Sequence, residues 1–276
     1  HSPFNAPQRY WDLYQRDLIS MPNHPDWPTN APRIAWHDSR EILGVKTRTL
    51  TEAGVREMRH GYLANISYLD AQVGRVLEEL DRLELADSTV IVFWSDHGYH
   101  LGEQTLWAKT SNFELDARVP LMISVPKMKT AGQRTSALAE LVDLYPTLAE
   151  VCGLALPADI DGRSLVPVLA DPAVHVRTAA LTQHPRPAYY DREPSHQPTH
   201  MGYSIRSETH RYTEWRNWNT GKAEAVEFYD HRSDPDETRN LADDPALAEL
   251  VLQHRDLLQQ QSPLIEPGWT PISLDR

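Results

Sequence analysis

Cysteine is nearly absent: Cys152 is the only one in 276 residues. No intramolecular disulfide can form, and no cysteine-rich zinc site can be built. Long apolar runs are missing as well. The longest, such as Thr89-Val-Ile-Val-Phe-Trp94, are strand-sized and fall far short of the roughly 20 residues a membrane span needs. Positive charge is in deficit, with 27 Lys and Arg against 39 Asp and Glu and a net charge of -12. That argues against nucleic-acid or membrane-surface binding, which needs basic patches. A small anionic substrate is not excluded, because a few local cations and a metal suffice to hold one. There is no initiator Met, no basic n-region and no h-region, so no signal peptide is read in these residues. An opening of His1-Ser-Pro-Phe4 reads as the continuation of an upstream segment. Cys152, at the apolar end of a predicted helix, reads as a small buried hydrophobe.

What is present describes an ordinary globular chain, 40% hydrophobic and 24% charged, long enough for one large domain or one domain plus a smaller one. Pro3, Pro7, Pro22, Pro25, Pro28 and Pro32 break helices at that spacing. They predict a long surface connection up to about residue 48, with one short helix near Arg9–Arg16, and a run of that length is often functional. Thr49-Leu-Thr-Glu52 has the capping-box pattern. Val55, Met58, Tyr62, Ile66, Leu69, Val73, Val76 and Leu80 then recur every three or four residues, which predicts a long helix with one core-facing stripe.

Thr89–Trp94 and Val119–Val125 are apolar throughout, as in strands of a parallel sheet covered on both faces. A helix is expected over Ser136–Val151. The fold class is therefore α/β, a mostly parallel sheet flanked by helices over residues 1–185. A small antiparallel subdomain with a terminal helix follows over 186–276, because Met201–Arg206, His210–Trp215 and Ala225–Tyr229 alternate like a meander. Asp244-Pro245 opens the last helix as N-cap and first residue.

The chemistry centres on Trp94-Ser-Asp-His-Gly98. A strand ends, a carboxylate and an imidazole follow at once, and a glycine lets the chain turn. Ligands in open α/β sheets bind at the carboxyl ends of strands, and Asp96 and His97 are competent to coordinate a divalent cation there. Alone, Asp-His-Gly fits a turn cap equally well. Lys109, a dozen residues on, is a compact cation able to hold an anionic oxygen; alone it is also an ordinary surface lysine.

Taken together, Asp96-His97-Gly98, Gly102-Glu103 and Lys109 resemble the sulfatase family of the alkaline-phosphatase-like superfamily. Arg118-Val-Pro-Leu-Met-Ile, Leu141-Val-Asp-Leu-Tyr-Pro-Thr-Leu148, Asp161-Gly-Arg-Ser-Leu165 and Asp234-Pro-Asp-Glu-Thr-Arg-Asn-Leu241 extend the likeness over nearly the whole chain. Tyr68–Arg75, Trp107–Phe113, Gln183-His-Pro-Arg-Pro187 and Met201–Arg206 are similar to the iduronate-2-sulfatase subgroup. Tyr99 stands where that subgroup tends to have Trp, and Gln104 where many sulfatases have His.

The resemblance implies that Asp96 and His97 bind a divalent cation, with calcium expected. Calcium prefers oxygen ligands, so the imidazole has a second possible role at the nucleophile or sulfate. Lys109 would clamp a sulfate oxygen, and His1 would serve as sulfate ligand or general acid. Tyr99 and Arg186 would complete the substrate site, Arg186 as a guanidinium fork for a carboxylate. The family nucleophile is a cysteine oxidised to formylglycine. Cys152-Gly-Leu-Ala-Leu lacks its motif, so the nucleophile is expected in an N-terminal part of the same protein, which would be this chain's partner. The implied activity is hydrolysis of a sulfate ester, expected on a sulfated glycan such as a 2-O-sulfated uronic acid. The fragment alone would be inactive, and the whole protein exported or lysosomal. A phosphodiesterase or phosphonate hydrolase of the same superfamily, and a non-catalytic fragment or binding pseudoenzyme, are the alternatives.

Overall fold

A computed structural model describes residues 2–43, 50–189 and 197–261. The proline-rich opening folds over the surface as expected. It holds a one-turn helix, α1 (Gln8–Trp11), 3-10 turns at Arg16–Leu18 and Arg33–Ala35, and a second short helix, α2 (Arg40–Leu43). Next comes the long helix α3 (Glu52–Arg82), of 31 residues. Its cap is Thr51, whose hydroxyl accepts the Gly54 amide at 3.2 Å; Thr49 lies outside the described residues. The N-terminal segment packs on α3 through Phe4 on Tyr62, Trp11 on His60 and Tyr10 on Tyr68. It reaches only the first half, so the predicted stripe is partly covered: Val55, Met58 and Tyr62 are half-buried, while Ile66, Leu69 and Val76 are exposed.

Strand β1 (Ile91–Trp94) leads into a two-residue ribbon of β2 (His100–Leu101) and β3 (Trp107–Ala108). Helix α4 (Glu114–Ala117) and strand β4 (Leu121–Ser124) follow. β1 and β4 are the two strands expected to be parallel, and they pair antiparallel, Ile91 with Ser124 through Trp94 with Leu121. Continuous apolarity reports coverage of both strand faces and carries no information on direction. Trp94 and Met122 are exposed on this pair.

Helix α5 (Leu144–Val151) starts eight residues later than expected. Pro146 explains the delay. Its missing N–H is harmless in a first turn but would break a helix already under way from Ser136. Cys152 caps this helix and is exposed, which corrects its expected burial. A further short helix, α6 (Val166–Ala170), precedes the C-terminal sheet.

That sheet has order β5-β6-β7-β8, all antiparallel: β5 (Ala179–Arg186), β6 (His200–Ser207), β7 (His210–Asn217) and β8 (Ala223–Asp230). The expected boundary at 185/186 falls inside β5, because Gln183–Arg186 belong to that strand. Pro185 is tolerated there because β5 is a sheet edge, where a missing donor costs no ladder bond. One face of the sheet carries Ile205, Tyr212 and Phe228 against Leu258 of the terminal helix α7 (Ala248–Gln261). Asp244 accepts the Ala246 amide at the start of this last helical segment. The other face packs Trp215 and Tyr229 on Ala35, Leu106 and Phe113, which anchors the site loops to the sheet.

Gly98 matters for close approach. A Cβ there would lie 1.8 Å from the carbonyl oxygen of Leu115, because Gly98 and Tyr99 donate their amides to Asp116 and Leu115 at 2.8 and 2.9 Å. This is a backbone-to-backbone crossing rather than the sharp turn expected from sequence. Gly98→Ala should therefore destabilise by about 3 kcal/mol or more, at or beyond the upper end of ordinary overpacking. Chemical denaturation checks this, and a midpoint equal to wild type would remove the crossing as the reason for glycine.

Candidate active site

Past the end of β1, Ser95 Oγ donates to the His97 carbonyl at 2.7 Å and fixes the turn that presents Asp96 and His97. The Asp96 side chain is 82% exposed. His97 Nδ1 lies 2.7 Å from the Gly98 carbonyl. A carbonyl only accepts, so Nδ1 carries the proton. The neutral ring then has its lone pair on Nε2, 3.6 Å from Asp96 Oδ2. Metal-bound histidines characteristically spend their other ring N–H in this way. The pair therefore fits a divalent cation as two adjacent ligands, with Asp96 reachable from outside.

The β2–β3 ribbon returns the chain to this point. His100 pairs with Ala108, so the next residues outward, Tyr99 and Lys109, leave the ribbon at the same end. Gln104, Thr105, Ala108 and Thr110 all have positive φ (54°, 63°, 67° and 95°). For residues with a side chain each such position costs on the order of 1–3 kcal/mol, and such strain clusters at functional sites. It is held by neighbours. The Gln104 and Thr105 amides donate to His24 and Pro25 in the proline-rich connection. Glu103 accepts the Leu101 amide at 2.7 Å and is paired with Arg59 of α3 at 2.8 Å.

The third segment of the site is residues 34–41, which the sequence did not single out. Ser39 Oγ accepts the Trp107 amide at 3.0 Å, and Glu41 of α2 forms a buried ion pair with Lys109. His37 is buried and accepts the Ser39 amide on Nδ1. Burial, then the charge of Arg186, lowers its pKa to about 3. Arg186 is not an open fork. It donates to the carbonyls of Ile34, Ala35, Thr110 and Pro185 and stacks over Trp215 at 4.8 Å. It clamps the 34–35 turn to the lysine loop through these main-chain carbonyls. Tyr99 packs on Phe4, Tyr62 and His97, and burial raises the pKa of its phenol. His1 lies outside the described residues.

Beneath the ribbon sits a fully buried histidine. His100 Nδ1 meets Asp116 Oδ1 at 2.8 Å and Nε2 meets Gln104 Oε1 at 2.9 Å. The Gln104 amide group already donates to Asp236 and Glu237 carbonyls, so its oxygen must accept. Both ring nitrogens therefore donate and His100 is an imidazolium. Burial lowers its pKa, but the Asp116 charge and the hydrogen bonds outweigh that and raise it. Asp116 is raised by burial and, more strongly, lowered by His100 and the Ser111 hydroxyl.

The contribution of His100 is full below the ordinary imidazole value and fades as pH rises through its raised pKa. That of Asp116 is full above the ordinary aspartate value and fades as pH falls through its lowered one. Both are full between about pH 4 and 6.5. Asp116→Asn should cost about 3–5 kcal/mol inside that window and less in alkali. Denaturation of both proteins from pH 4 to 9 checks it; a flat difference would contradict a charged pair.

Among the described residues, Glu114, His231 and Glu237 also gather ligand atoms at metal spacing. Arg211, however, bonds both carboxylates and Arg206 bonds Glu114. The guanidinium groups already supply the positive charge a cation would bring.

The Sulfatase family model matches residues 1–154 and the model described as "N-sulphoglucosamine sulphohydrolase, C-terminal" matches 102–263. Iduronate 2-sulfatase of Mus musculus is 32% identical over 95% of this chain and 58% of its own length. The multifunctional alkaline phosphatase superfamily protein PehA of Trinickia caryophylli is 35% identical over 94% of this chain and 52% of its own. A protein solved in complex with its substrate D-glucosamine-2-N,6-O-disulfate superposes with a TM-score of 0.80 at 23% identity, covering 96% of this chain and 63% of that one. The chain thus spans somewhat over half the length of these curated relatives. With an α/β fold of the alkaline-phosphatase-like kind and a family match running through Asp96, His97 and Lys109, the chain belongs to the sulfatase family, near iduronate 2-sulfatase.

Proposed function

We propose that the full-length protein hydrolyses sulfate esters and that this chain supplies one side of the active site. The observation that supports the reading is the β2–β3 register, in which His100 faces Ala108, so that Lys109 leaves the ribbon at the same end as Tyr99, two residues past His97. Asp96 Oδ2 and His97 Nε2 would hold a divalent cation, calcium by family likeness, which when bound supplies positive charge toward the sulfuryl oxygens. Lys109 binds a sulfate oxygen, exchanging Glu41 for the substrate anion, and its ammonium stabilises negative charge that builds there as the ester bond breaks. The strained loop fixes its position beforehand, so little reorganisation is needed in the reaction. His1 is the proposed acid for the leaving alcohol. The nucleophile is proposed to be a formylglycine made from a cysteine other than the exposed Cys152.

The substrate class we favour is a sulfated sugar, by likeness to iduronate 2-sulfatase. A 2-O-sulfated uronic acid is the specific form that likeness suggests, although Arg186, engaged on carbonyls, does not support its carboxylate. Phosphoryl or phosphonate esters are the second reading, supported by the likeness to PehA.

In the full-length enzyme Lys109→Ala should lower kcat/KM by about 10²–10³-fold. Asp96→Asn should lower both metal content and turnover. Assay on sulfated sugars, an aryl sulfate and a phosphonate monoester, with metal analysis, checks all three points. Unchanged metal stoichiometry in Asp96→Asn would count decisively against the cation site. Faster cleavage of the phosphonate than of every sulfate would favour the second reading.

A further inference from the structure

The N-terminal segment and α3 enclose a cleft of about 460 Å³, a size typical of small-molecule sites. It is lined by Gln8, Trp11, Asp12, Tyr14, Arg16 and His60, none of which the proposed ester chemistry uses. Its polar groups are held in place. His60 is buried, with Nε2 2.9 Å from the Trp11 carbonyl and Nδ1 3.3 Å from Arg16 Nε. A carbonyl only accepts and a guanidinium only donates, so the ring is neutral and its proton is on Nε2. His60 thereby holds Arg16 by its Nε edge. Among the described residues the terminal nitrogens of Arg16 make no hydrogen bond, and Glu57 stands off at 3.7 Å. Asp12 takes the Gln8 amide on Oδ1 at 2.7 Å, and among the described residues its other oxygen makes no side-chain bond. Trp11 gives its Nε1–H to the Ala6 carbonyl at 3.1 Å, and the Tyr14 hydroxyl meets Ser67 Oγ at 2.6 Å. Both rings are thus fixed and half-buried at the cleft wall.

We propose that this cleft binds a sugar, as an uncharged hexopyranose unit. The charge of Arg16 is balanced by Asp12 within the cleft and by Glu57 at its edge, so the cleft is no trap for an anion alone. A guanidinium and a carboxylate in one cleft suit ring hydroxyls, each of which both donates and accepts. One hydroxyl accepts from Arg16 while another donates to Asp12, and both bonds are charge-assisted. The C–H face of a pyranose is apolar and matches the Trp11 and Tyr14 rings. The cleft also adjoins the proposed active centre. Gly61 of α3 lies under both Trp11 and Phe4, which a Cβ there would meet at 3.1 and 2.9 Å. Phe4 packs on Tyr99, and Tyr99 on His97. A glycan held at that centre would place a more distant unit here. This placement rests on the proposed function; the binding itself does not.

The test uses isotope-labelled full-length protein and methyl β-D-glucopyranoside, followed by NMR at the Trp11 indole N–H, which Trp11→Phe identifies. The sugar should shift that signal with a Kd of about 1–10 mM, the affinity expected of so small a ligand. Asp12→Ala and Arg16→Gln, both at exposed positions, should each weaken binding about fivefold or more. Sodium sulfate and glycine, each added alone over the same concentrations, should leave the signal where it is. No shift up to about 100 mM sugar, or an affinity unmoved by Asp12→Ala, overturns the inference. So does a sulfate response at or below the sugar's midpoint, which would mark an anion site on Arg16, or a glycine response there, which would mark a zwitterion site. Lys109→Ala should leave the sugar affinity unchanged; loss of binding in that variant would put the sugar in the active centre and overturn the cleft. Failure of the ester-hydrolysis reading looks different: no turnover of any sulfate ester, with the Trp11 shift intact.

Discussion

A single buried imidazolium holds the site together. His100 donates to Asp116 on one side and to Gln104 on the other. Through Asp116 it reaches Ser111 and the backbone beside Gly98. Through Gln104 it reaches the carbonyls of residues 236 and 237 in the C-terminal region. The Asp96-His97 turn, the Lys109 loop and the C-terminal subdomain are thus tied to one ring. A charged group in such a place is tolerated because every donor is matched, one to a carboxylate; with either partner removed, the remaining charge would be stranded.

The same economy of charge runs through the subdomain interface. Arg211 lies between Glu114 and Glu237, and Glu237 also takes His231 at 2.8 Å. Glu227 accepts from Trp215 and Tyr229 at 2.6 and 2.7 Å. Burial raises its pKa more than those bonds lower it, to about 7. These groups fix how the sheet meets the site loops, and their satisfaction within the protein is why acidic clustering here does not amount to a metal centre. Asp96 differs in being exposed and in having the His97 imidazole, through Nε2, 3.6 Å from its carboxylate.

The parts legible in the sequence were those with a period or a motif. The α3 stripe, the meander, the Asp244 cap and the Asp-His-Gly to Lys109 spacing each have a local signature. What escaped was set by contacts distant in sequence. Glu41 meets Lys109 across 68 residues, and Arg186 meets Ile34 across 152, so neither side chain's role is written in its surroundings. Arg186 had the right chemistry for a carboxylate, and only the fold shows its fork filled. Strand β5 was hidden by Pro185, which is compatible with a strand only at an edge. The direction of β1 against β4 was not encoded at all, since an apolar run reads the same in both. Gln104, noticed as a substitution, proves to be the second anchor of His100; a histidine there would bring another ring beside His100 in place of an amide able to accept from it and donate to two carbonyls.

The strain in residues 104–110 gives this architecture its functional sense. Four non-glycine residues in left-handed conformations would relax if the loop were free, because each is disfavoured for an L side chain. They are kept by amide bonds to His24 and Pro25, by the Arg186 clamp on Thr110 and by the His100–Gln104 contact. All of these involve the loop backbone or a side chain other than that of Lys109. The backbone is over-determined, while the Lys109 ammonium meets the Glu41 carboxylate on a four-residue helix. On the proposed function, a substrate anion taking the ammonium would move only the end of the lysine and leave the scaffold that aims it in place.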